Sequence, residues 1–131
     1  MQQRPINPWS WSESFSFSQG VEITGQQRTL LCAGQTSVDE NGAPLNPGDM
    51  GAQIGKALDN LEAVLAAADM TLANVVRLNI YTTDVPAIYP AMSVWSSRLN
   101  AAGCRPACTL LGVAALFEPS IMVELEATAV A

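Results

Sequence analysis

Glu124 and Glu126 stand two residues apart in the segment Val123-Glu124-Leu125-Glu126-Ala127. In a strand, successive side chains leave opposite faces, so this spacing sends both carboxylates to one side and Val123, Leu125 and Ala127 to the other. A carboxylate does acid–base work when it is backed by an apolar wall, because partial burial favours the neutral form and raises its pKa. The same alternation describes the wet outer face of an ordinary sheet, and the pattern leaves both readings open. The chain has no histidine, which removes Ser-His and Cys-His nucleophiles and histidine bases. Proton transfer is left to carboxylates, Tyr81, Tyr89, thiols, backbone groups or water. Cys32, Cys104 and Cys108 have neither zinc-ligand spacing nor the even count of a disulfide framework, so no metal and no cofactor is expected. Cys108 has no histidine or cationic cluster to form its thiolate, and a small buried apolar role is the simpler reading.

The elements that must position these groups are legible from periodicity. Residues 1–10, with Pro5, Pro8 and the start of a Trp-Ser-Trp run, read as an irregular arm. Ser12 to Ser18 alternates and places Phe15 and Phe17 on one face, and Val21–Thr24 with Arg28–Ala33 reads as a first hairpin. Asn46-Pro47-Gly48-Asp49 is a helix start with Asn46 as N-cap and Pro47 at the first helical position. Met50, Ile54, Ala57, Leu61, Val64, Leu65 and Ala68 then form an apolar stripe, with Gln53 off it. Residues 74–82 form a strand reached by a parallel crossover, with Val76, Leu78 and Ile80 on one face and Val75, Arg77, Asn79 and Tyr81 on the other. A second helix follows, with Pro90 near its start, Met92, Trp95, Leu99 and Ala102 as its stripe, and Gly103 as its stop. Residues 107–116 and 121–130 read as two strands paired like a hairpin. The order β-β-α-β-α-β-β predicts a single α+β domain over residues 1–131, with two helices on one face of a mixed sheet.

Composition bounds the partners. The net charge is −6, and the six basic residues Arg4, Arg28, Lys56, Arg77, Arg98 and Arg105 are scattered, so no nucleic-acid partner is expected. No apolar run is long enough to cross a membrane, and the N-terminal residues lack the basic and apolar regions of a signal peptide, which makes a cytoplasmic location the expectation. Apolar residues reach 49% while charged ones are only 14%, a surplus that points to self-association.

Several stretches also resemble one family. Pro106-Ala107-Cys108-Thr109, Gly112-Val113-Ala114-Ala115-Leu116 and Val123-Glu124-Leu125-Glu126-Ala127 resemble the C-terminal signature of the Rid family of imine and enamine deaminases, also called YjgF. Ser18-Gln19-Gly20-Val21, Ala33-Gly34-Gln35, Pro47-Gly48-Asp49 and Ala57-Leu58-Asp59-Asn60-Leu61 match earlier motifs in the same order. The resemblance implies a chorismate mutase-like homotrimer with clefts between subunits, a small-molecule substrate, and hydrolysis at a C–N bond. It implies Glu124 as the residue that handles the attacking water, at a cleft walled by Phe17 and Met92, with Ala33, Gly34 and Cys108 among the substrate-binding positions. The family's carboxylate-binding arginine falls at Cys108, its tyrosine at Phe17, its serine at Ala33 and a pocket asparagine at Met92. A thiol cannot replace a bidentate arginine contact, so the usual 2-imino acids fit poorly unless Arg105 or Arg77 substitutes. The leading expectation is a hydrolytic deaminase of an imine, enamine or related small amine-bearing metabolite. The alternative is a non-catalytic small-ligand-binding or interaction protein that keeps the trimer; a ribonuclease is disfavoured by the acidic balance.

The apolar surplus and the resemblance together give the first testable expectation. Light scattering should return about three times the chain mass of 13.9 kDa. A monodisperse monomer at micromolar concentration would contradict it.

Overall fold

The computed structural model describes all 131 residues. The N-terminal residues are not an irregular arm. β1 (Gln2–Ile6) pairs antiparallel with β2 (Gly20–Thr24) from Gln2 opposite Thr24 to Ile6 opposite Gly20. Proline at position 5 is tolerated because this two-stranded ribbon has open edges on both sides. An ion pair between Arg4 and Glu22 spans it. Between the two strands, Ser10–Phe15 forms a 3-10 segment rather than the expected alternating strand. The expected hairpin of residues 21–24 with 28–33 is absent, because β2 is already partnered by β1.

The main sheet contains β3 (Thr29–Gln35), β4 (Val75–Thr82), β5 (Ala107–Gly112) and β6 (Val123–Val130), hydrogen-bonded in the order β3-β6-β4-β5. β6 runs antiparallel to β3 and β4, whereas β5 runs parallel to β4. The last two strands are therefore not a hairpin pair; β4 lies between them. Two helices, α1 (Met50–Ala67) and α2 (Val85–Ala101), make the crossovers from β3 to β4 and from β4 to β5. Both pack on the same face of this mixed sheet, as the right-handed crossover rule requires. Neither helix is long and apolar enough to cross a membrane.

The core lies between this face and the helices. Ile54, Leu58, Leu61 and Leu65 of α1 and Ile88, Trp95 and Leu99 of α2 are buried against Leu78 and Ile80 of β4 and Val123 and Leu125 of β6. Arg98 ties the helices together from outside, donating to the Gly55 carbonyl at 3.1 Å and to Asp59 at 2.9 Å, and pairing with Glu62. Val75 departs from simple alternation: it is buried, as is Val76, because the β4–β6 register shifts between Val75 and Arg77. A bulge of this kind places two consecutive side chains on nearly the same side.

The helix start and stripe also differ from expectation. Asp49, not Asn46, is the N-cap of α1, and its carboxylate accepts from Ala52 N at 3.0 Å. Asn46 has a φ of 59° and Gly48 one of 76°, so the chain is still turning at Pro47 and the helix cannot begin there. Pro90 sits inside α2 rather than near its start, because Asp84 caps the helix and Pro86 takes the early position. At the far end of α1, Arg28 donates to the Ala68 carbonyl at 2.8 Å, while Asp69 takes the left-handed φ of 55° that glycine usually supplies.

Gln53 was expected off the apolar stripe and is instead completely buried. Its amide donates to the carbonyls of Asn46 at 3.1 Å and Ser120 at 2.8 Å, and its oxygen accepts from Met122 N at 2.8 Å. One side chain thus satisfies three backbone groups and fastens the loops before α1 and β6 to each other. Gln53→Leu should orphan the Ser120 carbonyl and the Met122 amide, the Asn46 carbonyl keeping its bond from Asp49 N at 3.2 Å, and lower the unfolding free energy by about 1–3 kcal/mol, measured by urea denaturation. An unchanged midpoint would show that these loops relax without loss.

Candidate functional site

Strand parity divides the sequence-predicted residues between the two faces of the main sheet. In the parallel register, Cys108 lies beside Leu78 and Leu110 beside Ile80, so both face the helices. On that side a cleft of about 240 Å³ opens at the β5 edge. Its floor is Ile80, Trp95, Cys108 and Leu110, and its rim is Met92 and Tyr89 from α2 with Trp11, Phe15 and Phe17 from the N-terminal region. Phe17 arrives there because the chain docks on β5: Ser18 N donates to the Pro106 carbonyl at 2.9 Å and bridges Ala107 in parallel. Trp11 meets Phe15 and Phe17 edge to face, with ring centroids 6.4 and 5.7 Å away, a favoured aromatic arrangement. Burial pushes the Cys108 thiol up to about 11, so it is a neutral group at neutral pH. Phe17, Met92 and Cys108 are thus brought together, and no charged side chain joins them.

Glu124 is on the opposite, helix-free face. It stands opposite Tyr81 in the β6–β4 register, and its carboxyl occupies the space beside Gly34 on β3. A Cβ at position 34 would lie 1.8 Å from Glu124 Oε1, closer than any non-bonded atoms can approach, so glycine is required for this placement. The register of β3 against β6 shifts between Cys32 and Gln35, which is what brings Gly34 over the carboxyl. Burial, and then the charge of Glu126, raise the pKa of Glu124. Ala33 is exposed next to it.

Glu126 lives in a different environment two residues on. Its Oε1 accepts from Asn79 Nδ2 at 2.8 Å and from the Tyr81 hydroxyl at 3.0 Å. Arg77 orients this cluster, donating from Nε to Asn79 Oδ1 at 3.1 Å and from Nη2 to Thr109 Oγ1 at 3.0 Å. The hydrogen bonds from Asn79 and Tyr81 hold Glu126 below the ordinary carboxylate range, and the same contact with Glu126 raises the Tyr81 phenol. These bonds favour the ionised form of Glu126, while Glu124 makes no such bonds.

Within one chain the sheet lies between Glu124 and the pair Phe17 and Met92, so they can meet only across the expected cleft between subunits. One expectation is corrected here. Arg105 does not reach the cleft: it precedes β5, is exposed, and donates to the Glu13 carbonyl at 3.0 Å. Arg77 lies on the Glu124 side, committed to Asn79 and Thr109. The aromatic rim from Trp11, Phe15 and Tyr89 was not foreseen as part of a site. The Trp-Ser-Trp run and the exposed tyrosine of α2 were its signals, but docking of the N-terminal region on β5 is a long-range contact that no local pattern carries.

The mixed sheet with two helices packed on one face defines a small α+β domain. Residues 11–131 match the family described as endoribonuclease L-PSP, and the chain belongs to this family, the Rid (YjgF) family. Protein DfrA of Myxococcus xanthus is 33% identical over 114 residues, covering 87% of this chain and 84% of that one. A mouse protein named 2-iminobutanoate/2-iminopropanoate deaminase is 32% identical, covering 87% and 80%. The crystal structure of the Rid protein YyfB from Yersinia pestis superposes over the whole of both chains with a TM-score of 0.86 and 37% identity.

The two carboxylates respond to pH with opposite sign. Folding raises the pKa of Glu124, so its ionisation costs stability as pH rises from the unfolded toward the folded value. Folding lowers that of Glu126, so its contribution is present above the unfolded value and is lost as pH falls through the folded one. Glu124→Gln should therefore raise the urea midpoint at neutral pH and Glu126→Gln lower it, with both differences shrinking under acid. The same sign for both variants would show that the hydrogen bonds to Glu126 do not separate them.

Proposed function

We propose that the chain is a hydrolytic deaminase that cleaves the C=N bond of an imine, or of an enamine through its imine tautomer, on a small metabolite other than the standard 2-imino acids. The observation that carries this reading is the seat of Glu124, an accessible carboxyl with a raised pKa, free of the hydrogen bonds that hold Glu126 ionised. Its chemistry balances without a cofactor. Glu124 takes a proton from water as the oxygen bonds to the imine carbon and returns it to nitrogen, giving a carbinolamine; the hydroxyl proton then passes through the same carboxyl to nitrogen as the C–N bond breaks, releasing a carbonyl compound and ammonia. The family's membership of named imine deaminases supports the reaction class. The alternative of a nucleic-acid substrate is not favoured by a chain whose Arg4 and Arg98 are already paired with carboxylates.

The partition between sheet faces supports a site shared by two copies. One copy offers the cleft at Phe17, Met92 and Cys108; the next offers Glu124 and Gly34 from its helix-free face. That face carries apolar groups for a second copy to cover, Leu31 being 77% and Leu111 50% exposed. A cyclic trimer in which each cleft meets the neighbour's sheet is a closed arrangement of this heterologous contact.

Imines generated in place by an amino-acid oxidase from alanine and by an amine oxidase from benzylamine, trapped with semicarbazide, form the test. The protein should divert imine from the trap, weakly or not at all for the 2-imino acid. Glu124→Gln should slow the diversion about a hundredfold or more with the oligomer intact, and Glu126→Gln much less. Met92→Trp should block the cleft, and mixed oligomers of Glu124→Gln and Met92→Trp subunits should recover about a quarter of the wild-type rate, because random assembly restores that share of intact sites. No diversion of any imine, or equal losses from both glutamine variants, would overturn the deaminase reading. No recovery on mixing would overturn the shared site.

A further inference from the structure

We infer that the cleft between β5 and α2 is a binding site for an uncharged group about the size of one aromatic ring, and that Cys108 sets this preference. The inference deepens the reading above by naming what the cleft accepts, and it rests on that reading only for where the reacting carbon is placed. Every lining side chain is apolar, aromatic or, in Cys108, a neutral thiol. The two arginines near β5 are turned elsewhere, Arg105 onto the Glu13 carbonyl and Arg77 onto Asn79 and Thr109 across the sheet. A carboxylate entering the cleft would lose its water with no cation to replace it, only the isolated neutral donors of Tyr89, the two tryptophans and the Cys108 thiol, which is unfavourable. An apolar ring loses nothing of the kind and gains contact with the Trp11–Phe17 pair, whose edge-to-face packing leaves ring surface toward the opening.

Size and exposure argue the same occupant. A cavity of about 150 Å³ lined by aliphatic and aromatic side chains holds benzene, and this cleft, at about 240 Å³, has room for a ring bearing a short substituent. Trp11 at 56%, Phe15 at 47% and Tyr89 at 61% exposure form a contiguous aromatic rim of the kind that marks a binding groove on a folded domain. Cys108 is the deciding position because it lies at the floor. A small neutral side chain there leaves ring-sized space, whereas a cation would both fill that space and invite an anion.

Calorimetric titration of the intact oligomer with benzyl alcohol and with benzoate, which share a ring and differ in charge, tests the inference without turnover. Benzyl alcohol should bind about tenfold or more tightly than benzoate. Met92→Trp should weaken benzyl alcohol by a similar factor. Cys108→Arg should reverse the order of the two probes, and Met92→Arg, a cation at the half-exposed rim, should do so if the floor variant does not fold. Equal binding of the probes, a preference for benzoate, or indifference to Met92→Trp would overturn the inference. So would failure of both probes to bind, the result expected if a second copy fills the cleft. A protein that binds benzyl alcohol in the cleft but hydrolyses no imine would keep this inference and remove the deaminase reading.

Discussion

β6 is hydrogen-bonded to β3 on one side and β4 on the other, in a register that puts Val123, Leu125, Ala127 and Ala129 into the core. A slip of one residue would drive Glu124 and Glu126 against Ile54 and Leu58 and expose the apolar set, so burial of one face fixes the position of the other. The cost of burying two unpaired carboxylates is prohibitive beside any local gain. The chemistry of the outer face is thus held in place by the helices on the inner one. Asn79 opposite Glu126 and Tyr81 opposite Glu124 follow from the same register.

Within that frame, two identical side chains on one strand acquire different properties from their neighbours. Glu126 has donors on both sides and an arginine behind one of them; Glu124 has a glycine in front of it and a like charge nearby. Environments that push two titratable groups apart are how a site separates a proton carrier from a fixed charge. Here the separation needs no deep burial. The outer polar cluster holds Glu126 ionised at neutral pH, and that charge, added to partial burial, makes Glu124 a weaker acid.

Much of this is legible in the sequence. The apolar periodicity of residues 50–65 and 92–99, the alternation of β4 and β6, and the pairing of motifs with the Rid family give the α+β class and two helices on one face. Local pattern fails where the deciding partner is distant in sequence. β1 exists only because β2 is available to it, and residues 107–112 look like the first half of a hairpin until β4 takes the place beside them. Gln53 reads as a surface glutamine because its three backbone partners lie in two separate loops. The capping residue of α1 was misplaced by three positions because left-handed backbone at Asn46 and Gly48 delays the helix. The family motifs single out Glu124 and Gly34 as candidate site residues, but that a missing Cβ makes room for the carboxyl follows only from the β3–β6 pairing.

The shift in that pairing between Cys32 and Gln35 has a bearing on solubility as well. β3 is an outer strand, with one row of backbone amides and carbonyls unpaired, and a straight outer strand is a template on which foreign chains polymerise. Bulged strands bend and twist more strongly, which breaks the even spacing of those groups. The irregularity that lets a carboxyl rest on a glycine therefore also spoils the edge for strand addition, so that growth of the sheet into a fibre is disfavoured at the border nearest Gly34.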